Sequence, residues 1–176
     1  GFDTLQKAGY DVRGMSGFFE RLQQSTRLYE NNATAYLRTH PLTGERLSDM
    51  QNREQPVAYR QVADSADFQL VRARARALQG RPVDAVRDFE ALLRDKKYSS
   101  EAATRYGLAV ALVRKGDWAA AEKELQAVRK LKMSAAMVDR LLAEVKIAQG
   151  EREAGLLLYR EAMVRYPLNL ALLYGY

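Results

Sequence analysis

The sequence predicts an all-α protein: a solenoid of paired antiparallel helices preceded by a smaller helical segment. Three observations lead there. Ala, Leu, Arg, Glu and Gln, all good helix formers, dominate the later two-thirds of the chain. Only 11 glycines and 4 prolines punctuate 176 residues, which leaves long stretches free to be helical. A turn of one kind also recurs, led by Gly80, Gly116 and Gly150 at intervals of 36 and 34 residues.

Residues 1–55 read as helical pieces broken by glycine and proline. Asp3–Ala8 is the end of a helix stopped at Gly9. Asp11–Ser25 follows, with Met15, Phe18, Phe19 and Leu22 at helical spacing. Asn31 and Asn32 begin a polar connection to Thr39-His40-Pro41. The next helix starts around Thr43, whose hydroxyl can cap free amides, and runs through Arg46, Leu47, Met50 and Gln51. Residues 56–65 form a link.

From residue 66 to 176 the chain repeats, over about 66–99, 102–135 and 136–169, with a fourth unit opening at 170–176. Ala73, Ala109 and Ala143 stand seven residues before the turn glycines, where a small side chain lets a paired helix come close. Ala85 and Ala121 follow the glycines by five residues, and Phe89, Leu125 and Tyr159 by nine. Ala162 and Pro167 complete the third unit. Over 66–167 this resembles the tetratricopeptide family, which implies a right-handed solenoid. Four residues depart from that family's pattern. Gln69, Arg105 and Asp139 occupy its tryptophan/leucine position, and Gly155 replaces an alanine. An ordinary helical bundle is the plainer alternative, but it does not require a nearly constant period.

Composition excludes several classes. The chain has no cysteine, so disulfides and thiolate metal sites are impossible. It has no run of about 18 apolar residues of the kind a membrane span needs. The charge of +6 comes from 28 basic residues dispersed among 22 acidic ones, the pattern of solvated helix faces. No basic cluster is interleaved with aromatics, so a nucleic-acid partner is not expected. No signal peptide is visible. Gly1 and the apolar Leu172–Tyr176 read as cuts through a longer protein.

Residues 1–53 carry a second likeness. Lys7-Ala8-Gly9-Tyr10-Asp11, then Met15 with Phe18-Phe19 and Leu22, then Arg38-Thr39-His40-Pro41 with Arg46, Leu47 and Asp49, resemble the close of a metalloprotease domain. The family is the HExxH gluzincin group that includes HtpX and the BepA-like proteases, and BepA-like members run on into tetratricopeptide repeats. A zinc helix of that kind needs two histidines at i and i+4 with a glutamate beside them. This chain has one histidine, His40, so no such site can form within it. The resemblance implies that zinc belongs to a parent protein, that no cofactor is held here, and that the fragment alone is inactive.

His40 and Arg46 are the candidate active-site-proximal or regulatory residues. Imidazole can ligate zinc or donate to a developing oxyanion. The resemblance implies that His40 reaches toward the parent's zinc, either stabilising the tetrahedral intermediate or plugging the open metal position. It implies that Arg46 pairs with a carboxylate near the site or contacts substrate. The plainer reading is an exposed histidine before a proline turn, with Arg46 in a surface ion pair.

In a solenoid the first helix of each pair lines the inner surface. Counted from the turn glycines, the partner-binding candidates are Leu70 and Arg74, Tyr106 and Val110, and Arg140, Glu144 and Ile147. Arg74, Tyr106 and Arg140 are the preferred contacts, because Arg and Tyr are frequent interface anchors. The same residues can equally form a solvated face without a ligand. Trp118, at a turn, is assigned to the core. The resemblance implies the protein-interaction module of a BepA-like periplasmic metalloprotease of a Gram-negative bacterium. Its partners would be a protein or peptide in the groove, including outer-membrane proteins and their assembly machinery. The alternative is a stand-alone repeat adaptor without protease activity.

Overall fold

A computed structural model describes residues 1–27, 44–60 and 62–173. The described residues contain helices and connections and no strand. The chain divides into two compact units, Gly1–Ala63 and Asp64–Tyr176.

In the first unit, α1 covers Phe2–Lys7, α2 Arg13–Arg27 and α3 Gly44–Glu54. Gly9 ends α1 in the left-handed region, φ 79°. The Asp11 carboxylate accepts from the Arg13 amide at 3.1 Å and starts α2. Helices α2 and α3 pack together, and Gln51 Nε2 donates to Glu20 Oε1 at 3.1 Å. Val12 is buried. Tyr10, Phe18, Tyr59 and Val62 stay largely exposed around an apolar groove that Leu5 and Met15 also line.

The second unit holds α4 Ala66–Ala77, α5 Pro82–Arg94, α6 Glu101–Lys115, α7 Trp118–Lys130, α8 Ala136–Ala148, α9 Arg152–Arg165 and the short α10 Leu170–Leu173. The starts are legible chemistry. Ser65, Ser100 and Asp117 each accept a hydrogen bond from a first-turn amide, and Pro82 opens α5. The turn glycines Gly80, Gly116 and Gly150 all have positive φ (58°, 86° and 88°), a conformation that costs glycine nothing.

Phe89, Leu125 and Tyr159, the residues nine after each turn glycine, are 3%, 0% and 2% exposed. Ala109 and Ala143 are fully buried, and Trp118 packs on the core as expected. Helix α6 lies at the centre, in contact with α4, α5, α7 and α8, so most of its residues are buried. Each pair is not equally tight. The α6/α7 and α8/α9 pairs pack closely, whereas α4 packs chiefly on α6 and touches α5 sparsely. Only Leu70 and Ala77 of α4 are buried, because Arg72, Arg74 and Arg76 occupy much of its surface.

The third pair is thus well made despite its departures from the repeat pattern, and the structure gives their reasons. A Cβ at Gly155 would meet Ile147 Cγ1 at 2.5 Å and the Ala143 carbonyl oxygen at 2.8 Å. Helices α8 and α9 therefore approach more closely than alanine permits. Gly155→Ala gains about 1 kcal/mol of helix propensity but overpacks a backbone contact costing about 1–3 kcal/mol. A net destabilisation of about 1 kcal/mol is expected in urea unfolding, and a more stable variant would contradict the close approach.

Arg105 and Asp139 replace apolar packing with ion pairs. Arg105 bridges Glu101 and Glu124, each at 2.8 Å, and the Glu124 hydrogen bond is the main influence holding its guanidinium above the ordinary value. Asp139, 5% exposed, accepts from Arg165 at 2.5 Å and lies 4.0 Å from Arg129. Asn169 caps α10 by accepting from the Leu172 amide at 3.2 Å, and Leu172 is buried.

Candidate functional site

A cleft of about 570 Å³ opens on the second unit, a size within the about 300–1,000 Å³ usual for ligand sites. Helix α4 contributes Asp67 and Arg74, seven residues apart and so on one helical face. Helix α8 contributes Met137, Arg140 and Glu144 at three- and four-residue spacing. Tyr166 and Asn169, from the segment after α9, close the end. The walls thus come from the first helices of the first and third pairs.

Charges are unevenly matched in this cleft. Arg140 Nε donates to Glu144 Oε1 at 2.8 Å, both half-exposed. Arg74 is exposed and has no ion-pair partner among the described residues. Between these groups lies Tyr106, 0% exposed, whose hydroxyl has no hydrogen-bond partner among the described residues. Burial raises the Tyr106 phenol above its ordinary pKa, while the neighbouring Arg74 guanidinium opposes the shift without reaching hydrogen-bond geometry. Burial, reinforced by the Glu144 charge, raises Tyr159 in the same way. Both phenols therefore keep their protons at neutral pH.

Of the residues expected to face a partner, Arg74, Arg140 and Glu144 line the cleft. Leu70, Tyr106 and Val110 do not present a surface: each is buried, and the expectation that they contact a partner directly is corrected. The cause is the central position of α6, whose neighbours cover the face that counting from Gly116 assigns to a groove. Leu70 is likewise spent in the core of α4 against α6. Ile147 is half-exposed but sits against α9 at Gly155 and does not line the cleft. Asp67, Met137, Tyr166 and Asn169 are cleft residues the sequence did not single out. Asp67 was reachable, since it lies one heptad before Arg74; Tyr166 and Asn169 follow a helix end, where periodicity is silent.

His40 lies outside the described residues, and Arg46 lies on α3 with its side chain outside them. Among the described residues no three His, Asp or Glu side chains converge to hold a metal ion.

A tetratricopeptide-repeat family model matches residues 76–145. The chain carries tetratricopeptide repeats. Its repeats continue a similarity that runs along nearly all of it. A beta-barrel assembly-enhancing protease of Yersinia pestis is 26% identical over 178 residues, covering 97% of this chain and 36% of the relative. The protein of that name in Escherichia coli (strain K12) is 38% identical over 74 residues, 42% of this chain and 15% of the relative. A putative beta-barrel assembly-enhancing protease of Vibrio cholerae is 37% identical over 90 residues, 51% of this chain and 18% of the relative. The chain is BepA-like, with tetratricopeptide repeats. It spans about a third of the length of the Yersinia relative. No solved structure gives a significant match. No helix among the described residues is long and apolar enough to cross a membrane.

Proposed function

We propose that the repeat unit is the protein-interaction module of a periplasmic, zinc-dependent BepA-like metalloprotease that serves outer-membrane protein assembly and quality control. The observation that carries this reading is the polar cleft between the first helices of the first and third pairs, in a chain similar along 97% of its length to an assembly-enhancing protease. Repeat solenoids use such inner surfaces to hold extended partners. Arginine with tyrosine is the composition of interface anchors, and Arg74, Arg140 and Tyr166 all stand in the cleft.

In this reading the zinc is held by residues of the parent outside this chain and supplies hydrolysis of the peptide bond. His40 and Arg46 belong to the neighbourhood of that centre. The repeat unit recruits outer-membrane proteins or their assembly machinery to it.

The test is charge reversal in the full-length protein, Arg74→Glu with Arg140→Glu, scored for outer-membrane assembly in cells lacking the wild-type copy. Loss of about tenfold or more of partner affinity is expected, because like charges replace the anchors, and assembly should fail while the variant accumulates normally. Unimpaired assembly would contradict the proposal.

A further inference from the structure

Helix α4 has a second polar face. At about 3.6 residues per turn, Arg72 and Arg76 stand roughly opposite Asp67 and Arg74, so they turn away from the cleft. They line a separate hollow of about 240 Å³, left where α4 touches α5 sparsely. Phe89 of α5 contributes to it, as do Lys97, Ser99 and Ser100 from the connection into α6. The volume falls below the about 300–1,000 Å³ of ordinary ligand pockets and suits one compact group.

The hollow is rich in donors. Arg72, Arg76 and Lys97 line it and no Asp or Glu does. Arg76 is exposed and has no ion-pair partner among the described residues; its guanidinium carbon lies 5.6 Å from the Phe89 ring centroid. Arg72 lies 3.5 Å from Asp64, and Lys97 lies 3.8 Å from Asp95. Contacts that long between exposed groups hold a side chain weakly, so both cations can turn to a ligand. The serines have protons to give. Ser99 Oγ accepts from Arg72 Nη2 at 3.0 Å and Ser100 Oγ accepts from the Ala103 amide at 3.2 Å, while neither hydroxyl donates to a described residue.

Three cations and two uncommitted hydroxyl protons are more donors than the two oxygens of a carboxylate use well. A phosphate group offers three strong acceptor oxygens and about −1.5 to −2 charge at neutral pH, and the guanidinium fork matches its geometry. We propose that this hollow holds a phosphate group, with Arg72 and Arg76 as its counter-ions, Lys97 beside them and Ser99 and Ser100 as hydroxyl donors. The site is separate from the protein-binding cleft, and either can fail without the other. The phosphate is either a soluble one or the headgroup of an anionic phospholipid.

Isotope-labelled chain is titrated with inorganic phosphate, by amide chemical shift, at ionic strength held constant with chloride. Saturating shifts are expected at Ser99, Ser100 and Arg76. Arg72→Gln and Arg76→Gln should each weaken binding about tenfold, the loss expected for one charge-assisted hydrogen bond, and together abolish it. Arg87→Gln, at an exposed arginine on α5 paired with Asp84, should leave it intact. Sedimentation with phosphatidylcholine vesicles, with and without phosphatidic acid, then separates the sources. Saturation by phosphate plus retention on phosphatidic acid that requires Arg72 and Arg76 identifies a headgroup. Saturation without such retention identifies a soluble phosphate. Shifts that rise without saturating, or a phosphate affinity unchanged in the Arg72→Gln/Arg76→Gln double variant, would each overturn the inference.

Discussion

Phe89→Ala is expected to cost the repeat unit about 3–5 kcal/mol, close to the whole margin of a small domain. The ring is 3% exposed and rests on Gly107, where an added Cβ would fall 2.4 Å from Phe89 Cε1 and 2.5 Å from Cζ. A glycine opposite the ring cannot relax into the space the ring leaves, so the void persists. Arg76, whose guanidinium carbon lies 5.6 Å from the ring centroid, loses its cation–π partner as well. Trp118, the single tryptophan, sits in the repeat unit, so its fluorescence during denaturant unfolding reports on this unit alone. A midpoint shift equivalent to less than about 1 kcal/mol would mean that the ring is not the keystone between the first and second pairs.

Asp139→Ala is the second large effect, at about 2–3 kcal/mol. The carboxylate is buried between Arg165 at 2.5 Å and Arg129 at 4.0 Å. Removing it strands two cations at the α8/α9 junction. The cost stays below that of a fully buried pair, because the arginine side chains are 45% and 36% exposed and remain partly hydrated. A cycle of Asp139→Ala, Arg165→Ala and the double variant, read by urea unfolding, isolates the pair. A coupling energy of about 1 kcal/mol or more is expected, and additivity would show that the ion pair contributes nothing beyond packing.

The architecture was legible because its signals are local. A left-handed turn selects glycine at Gly80, Gly116 and Gly150, and the large residue nine positions later must fill the same hole each time. The departures were visible as departures but not as adaptations. Gly155 is explained only by the Ala143 carbonyl across the helix pair, and Asp139 only by arginines 10 residues before and 26 after it. The cleft was half legible. Arg74, Arg140 and Glu144 project from the less crowded faces of α4 and α8, where charge marks exposure. Tyr106 and Val110 share that count from the glycine, yet α6 is enclosed by neighbouring helices, and a period names faces without naming what covers them. The unpaired Tyr106 hydroxyl is a property of that enclosure.

The central claim, that the repeat unit holds a protein partner in its cleft, is tested most directly by site-specific photo-cross-linking in living cells. A photoreactive residue is placed in the full-length protein at Asp67 or Ala171, which line the cleft, and at Glu90, exposed on α5 outside it. Cross-links from the two cleft positions to an outer-membrane protein or a component of its assembly machinery, with none from Glu90, are the predicted result. Equal yields from all three positions, or cross-links from Glu90 alone, would contradict it.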